Sequence, residues 1–128
     1  MAGQLTIDTL KASSGVLATQ NGMTGIAKAW VSWTGSTAAI RGSFNVGSIT
    51  KNATGDFTVN FTTTMPDANY SVVASTSTNG TYACAIQTNS TSSSTTSAPT
   101  TSACRVSTFA PGIAFVDCPY INVTICGN

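Results

Sequence analysis

From Ile26 to the end of the chain, apolar and polar side chains alternate with a period of two, and Gly, Pro, Asn and Asp break the alternation at short intervals. A period of two sends successive side chains to opposite faces of a strand, whereas a helix needs a repeat near 3.6. No stretch of the chain carries the helical repeat. Turn signals recur about every eight to twelve residues, the spacing of short antiparallel strands. The expected fold class is therefore all-β, an antiparallel β-sandwich or barrel-like domain of about eight strands.

Individual segments sharpen this reading. In "GIAKAWVSWTG", Ile26, Lys28, Trp30 and Ser32 share one face, and Ala27, Ala29, Val31 and Trp33 share the other. Both faces are half apolar or more, which predicts a strand covered on both sides. "TAAIRGSFNVGSI" reads as one strand with Ala38, Ile40, Gly42, Phe44 and Val46 inward, opposite Ala39, Arg41, Ser43 and Asn45. "TKNATGD" is a turn cluster and predicts a hairpin. Beyond it Phe57, Val59, Phe61 and Thr63 face inward, while Thr58, Asn60, Thr62 and Thr64 keep the outer face polar without charge. Pro66 and Asp67 stop that strand, because proline has no N–H for the ladder. The alternation resumes from Tyr70 to Ser77 and, after the turn "TNG", through Tyr82, Cys84, Ile86 and Thr88. Further strands start at Cys104, after "APG" and at Tyr120. The last is β-branched at Ile121, Val123 and Ile125, as expected for a strand inside a sheet or under a neighbour.

The first 25 residues differ in character. Leu5, Ile7, Leu10, Val16 and Leu17 are separated by small polar residues and cannot form a core by themselves. They predict an extended N-terminal arm over residues 1–25, with those five side chains as an anchor or subunit contact, followed by a β-sandwich module over 26–128.

Charge and chemistry narrow the function. Only 7% of residues are charged and the net charge is +1, with Lys11, Lys28, Arg41, Lys51 and Arg105 scattered along the chain. No basic stripe exists to neutralise a run of phosphates, so nucleic acid is not expected as a partner. No apolar run is long enough to span a bilayer, and the opening "MAGQLTIDTLKAS" lacks the basic and apolar blocks of a secretory signal, so neither membrane insertion nor secretion is expected. Histidine and glutamate are absent, leaving Asp8, Asp56, Asp67 and Asp117 as the acidic groups. Nothing in this inventory brings an acid together with a base, or places a base beside a nucleophile. The expectation is a protein that is not an enzyme and uses no cofactor or metal.

Cys84, Cys104, Cys118 and Cys126 avoid the paired spacing of zinc and redox motifs. Cys84 and Cys104 lie symmetrically about Ser94, so a hairpin there could set them face to face as a disulfide pair. All four cysteines acting as small buried hydrophobes is the other reading. Between the pair runs "TNSTSSSTTSAPTTSA", which holds no large apolar residue and predicts an exposed loop of hydroxyls and amides. Those groups suit a sugar or plain solvent equally well, and Asn89, Ser90, Thr91, Ser92, Ser93, Ser94, Thr95 and Thr96 are the loop's candidate surface-contact residues. Trp30, Trp33, Tyr70, Tyr82 and Tyr120 could stack on sugars, although their places in alternating strands fit core or subunit contact better.

The succession "AKAWVSW", "AAIRGSFNVGSIT", "TGDFTVNFTTTMPDANYSVV" and "YINVTICGN" resembles a C-terminal β module of bacteriophage tail-fibre-like and other virion surface proteins. The resemblance covers about residues 26 to 128 and is most specific from Gly55 to Tyr70. It implies a non-enzymatic virion structural protein, assembled in the host cytoplasm and displayed on the virion surface. It further implies a homotrimer in contact with other tail or capsid proteins. A tail-fibre or tail-tip adhesin touching a host surface glycan or protein is the leading expectation. A capsid decoration protein or head fibre, bound to the shell through the arm, is the alternative. The cysteines and the long Ser/Thr loop depart from the family pattern, and the shared motifs are scaffold positions that carry no ligand residues with them.

Overall fold

The computed structural model of the protein describes residues 26–127, so the arm with Leu5, Ile7, Leu10, Val16 and Leu17 lies outside the described residues. Nine strands and no helix make up the described part: β1 (Ala27–Thr34), β2 (Ala39–Phe44), β3 (Val46–Ala53), β4 (Asp56–Phe61), β5 (Ser71–Thr76), β6 (Ala85–Thr88), β7 (Ala103–Ala110), β8 (Ala114–Phe115) and β9 (Ile121–Cys126). They form a four-stranded sheet in the order β2-β1-β9-β5 and a five-stranded sheet in the order β3-β4-β7-β6, with β8 paired to β7. Every pairing is antiparallel, and the two sheets face each other as a sandwich.

Alternation decides which side chains form the core. Ala29, Val31 and Trp33 of β1 and Ile121, Val123 and Ile125 of β9 point inward from one sheet; Phe57 and Val59 of β4 and Cys104 and Val106 of β7 point inward from the other. Trp33 meets Phe57 edge-on across the interior, with ring centroids 5.7 Å apart. Each Val, Ile or Phe side chain among them taken fully out of water contributes about 1.5–3 kcal/mol, so burial of these two facing rows favours the fold strongly. As the apolar run predicts, β9 lies inside its sheet, flanked by β1 and β5.

The segment read as one strand from Ala38 to Val46 is two strands in different sheets. Asn45 adopts a left-handed backbone (φ 54°) between β2 and β3 and carries the chain from one sheet to the other. Its amide fixes the corner. Asn45 Nδ2 donates to the carbonyls of Lys28 (3.2 Å) and Thr63 (3.1 Å), and its Oδ1 accepts from the Thr63 N–H (2.7 Å). The Asn45 carbonyl accepts from the Thr62 N–H at 3.2 Å. Asparagine suits the position because it tolerates this backbone and carries both a donor and an acceptor.

The outer faces of the two sheets differ. Across the four-stranded sheet, Phe44, Trp30, Thr124 and Val73 stand side by side in register, and Trp30 and Val73 remain 42% and 61% exposed. The indole of Trp30 lies over Gly42, where an added Cβ would come within 3.4 Å of the ring. At one end of this face the Arg41 guanidinium stacks on the Tyr120 ring, 3.8 Å from its centroid. The five-stranded sheet instead carries Thr50, Thr58 and Asn60 outward, with Asn60 Nδ2 bonded to Thr50 Oγ1 at 2.9 Å.

Candidate functional site

The Ser/Thr-rich segment is built from the end of β6. Asn89 leaves the strand in a left-handed conformation (φ 53°), and Ser94 repeats it (φ 54°) at the tip. Between them the chain closes on itself. The Thr91 N–H donates to the Thr95 carbonyl and the Ser94 N–H to the Thr91 carbonyl, both at 3.0 Å. Thr91 Oγ1 accepts from the N–H groups of Ser93 (3.2 Å) and Thr95 (3.3 Å), and Ser90 bridges to Thr96. Hydroxyls here replace the apolar contacts that a tip of this composition lacks, as Ser and Thr do when they bond neighbouring backbone.

The tip is also tied to the sheet. Asp56, at the start of β4, is 1% exposed, and its two carboxylate oxygens accept four hydrogen bonds. Oδ1 takes Arg105 Nε (2.7 Å) and Asn52 Nδ2 (3.2 Å), and Oδ2 takes Arg105 Nη2 (2.8 Å) and the Ser92 N–H (2.8 Å). Burial pushes the Asp56 carboxyl up, but the Arg105 guanidinium, the Ser92 N–H and Asn52 outweigh it and hold the group below its ordinary value. A carboxylate saturated in this way cannot act as a general base. Its role is to clamp a loop onto a strand.

The fully solvated loop expected from composition is therefore corrected in part. Ser90 is buried, Asn89, Thr91 and Ser92 are half-buried, and only Ser93, Ser94, Thr95 and Thr96 are exposed side by side. A small open recess of about 150 Å³, lined by Thr58, Ser97, Ala98, Thr100, Ala103, Cys104 and Arg105, lies beneath the segment. That volume is below the range of sites that enclose a small molecule.

The return limb of the segment rests on Tyr70, the last residue of "MPDANY". The Tyr70 hydroxyl lies 2.8 Å from the Thr100 carbonyl and 2.9 Å from that of Ala103, and its proton can serve either. Its ring packs edge-on to Phe61 at 5.7 Å, and burial raises the phenol's pKa. The corner is shaped by an Asp67 turn, in which Oδ1 accepts from the Asn69 N–H at 2.7 Å.

The remaining sequence candidates fall in several places. Trp33 and Tyr70 are core residues, while Trp30, Tyr82 and Tyr120 are exposed. Cys84 and Cys104 do not face each other. β6 pairs with β7 through Ala85 opposite Phe109 and Thr88 opposite Val106, which puts Cys84 beside Ala110, whereas Cys104 lies beside Val59 of β4. The two are offset by roughly 20 Å at the ordinary rise of a strand. The symmetry about Ser94 fails because the tip folds back on its own hydroxyls and does not extend the ladder evenly. All four cysteines are free thiols; Cys104 and Cys118 are buried, and burial pushes the Cys104 thiol up to about 12. Sequence reasoning missed the role of Asp56 because its partners Ser92 and Arg105 are distant in the chain.

Among the described residues no group of three or more His, Cys, Asp or Glu side chains could hold a metal ion, and no helix is long and apolar enough to cross a membrane. No known protein family, curated protein or solved structure matches the chain.

Proposed function

We propose that the chain is a non-enzymatic structural protein of a phage particle, a tail-fibre or tail-tip adhesin that presents Ser93, Ser94, Thr95 and Thr96 to the host surface. The observation that carries this reading is the clamped tip. A hydroxyl-bearing segment without apolar residues is held in one conformation by a buried carboxylate, so little ordering entropy remains to be lost on binding. Exposed hydroxyls and backbone amides match the hydrogen-bonding groups of a glycan or a polar protein surface. The resemblance of "TGDFTVNFTTTMPDANYSVV" and its flanking motifs to virion surface modules supports the same reading.

The opposite side of the sandwich supports a reading of self-association. The row of Phe44, Trp30, Thr124 and Val73 leaves an aromatic and an aliphatic side chain open to solvent, and aromatic residues are enriched at subunit contacts. In the proposed homotrimer this face turns inward and the clamped tips turn outward.

Particles assembled with Ser93, Ser94, Thr95 and Thr96 all replaced by alanine should adsorb to host cells at least about tenfold more slowly, the loss expected when about 1.4 kcal/mol of contact is removed. Particle yield and the thermal midpoint of the purified chain should stay the same, because the clamp uses the Ser92 backbone and not these side chains. Unchanged adsorption by the quadruple variant would refute the adhesin reading.

A further inference from the structure

Two thiols meet at the end of the sandwich where β5 gives way to the β5–β6 connection and β9 begins. Thr76 ends β5 opposite Ile121 at the start of β9, and Cys118 lies just before that start. Cys118 is held by its own backbone, since its carbonyl accepts from the Gly35 N–H at 3.0 Å. From the other sheet, Cys84 comes directly before β6 and shares the inward parity of Ile86, which is opposite the buried Thr108 of β7. Cys84 packs against the core cluster to which Cys118 belongs, and Cys84, Thr76 and Thr108 are the neighbours whose side chains act on the Cys118 thiol. Cys118 is fully buried and Cys84 half-buried, so a reagent in solution reaches Cys84 first.

We propose that Cys84 and Cys118 form a reversible disulfide that joins the two sheets at this end, made by exchange with a small-molecule disulfide such as oxidised glutathione. The Cys84 thiolate attacks one sulfur of the oxidant, forming a mixed disulfide and releasing one glutathione thiolate, which takes up a proton. The Cys118 thiolate then attacks the Cys84 sulfur, and the second glutathione leaves as its thiol. Two protein thiols are oxidised to one disulfide, and one glutathione disulfide is reduced to two thiols. Burial pushes the Cys118 thiol up to about 11, so this second, intramolecular step speeds as pH rises. Neither Cys104, beside Val59, nor Cys126, paired with Ala27 and Ser71, is placed to compete. Transfer from a reducing cytoplasm to an oxidising medium would close the bond; that consequence rests on the virion reading, whereas the cross-link itself does not.

The test is to treat the folded full chain with oxidised glutathione at mildly alkaline pH, quench with acid, and map disulfides by mass spectrometry without reduction. The expected product has Cys84 linked to Cys118, with Cys104 free and the half-buried Cys126 outside any disulfide within the chain. Its thermal midpoint should rise by about 10 °C, the shift for closing a loop of this length, and fall back on reduction. The Cys118→Ala variant should stop at one glutathione on Cys84. The proposal is overturned if the wild-type chain keeps glutathione on Cys84, links either cysteine elsewhere, or remains fully reduced under the same treatment.

Discussion

Replacing Gly55 with alanine should destabilise the domain by about 4 kcal/mol, a large share of the stability of a chain this size. Gly55 closes the β3–β4 hairpin with φ +66°, and a Cβ there would collide with the Thr108 carbonyl oxygen and lie 2.8 Å from the Val116 nitrogen. Those atoms belong to backbone that is itself bonded. The Thr108 N–H donates to the Gly55 carbonyl at 2.8 Å, and the Val116 N–H donates to the Thr108 carbonyl at 3.0 Å. The Gly55 N–H in turn donates to Asp117 Oδ1 at 2.9 Å, while the other oxygen of Asp117 pairs with Lys51. A methyl group must therefore push β7 and the β8–β9 connection apart as well as strain its own backbone, and both costs add. Urea unfolding followed by the fluorescence of buried Trp33 reports the loss, and a change below about 1 kcal/mol would show that the close approach is not needed for folding.

Asp56→Ala should cost about 3 kcal/mol at neutral pH, because it leaves Arg105, Asn52 and the Ser92 N–H without their shared acceptor. The effect has a pH signature. Asp56 keeps a folded-state pKa below its ordinary value of 3.8, so near pH 4 the native state binds fewer protons than the unfolded chain. Its contribution is complete above that pH and is lost as the pH falls through the lowered folded value. The gap between wild type and Asp56→Ala should therefore narrow on acidification from about pH 7 to about pH 2. Guanidinium titrations at both pH values measure it, and an equal gap at both would mean that the carboxylate's charge does not hold the clamp. Amide exchange at Ser92 should also speed up in the variant at neutral pH, since that N–H loses its partner.

Local patterning made much of the fold legible. Phe57 and Val59 face the core and Thr58 and Asn60 face outward as the alternation requires, and the turn cluster before them is the β3–β4 hairpin. β9 was recognisable as an inner strand from Ile121, Val123 and Ile125. The change of sheet at Asn45 was not legible: the two-residue repeat puts Phe44 and Val46 on one inward face, whereas Phe44 stands on the outer face beside Trp30 and Val46 lies in the core, and nothing in the local pattern marks the left-handed residue between them. The shape of the Ser/Thr segment was hidden for a different reason. Composition marks residues 89–96 as polar, but what orders them is a carboxylate 36 positions from Ser92 in the chain, a partner that no local pattern encodes. The meeting of Cys84 with Cys118, in place of Cys104, depends in the same way on register across β6 and β7. Long-range pairing sets these features, and strand periodicity carries no information about it.

Cryo-EM density of the intact phage particle tests the functional reading at its root. The sandwich should be found as a threefold assembly at a tail fibre or tail tip, with the Trp30 face turned toward the threefold axis and residues 93–96 outermost. Density for the domain on the capsid shell would replace the adhesin with a decoration protein or head fibre, and particles that lack the chain altogether would contradict both.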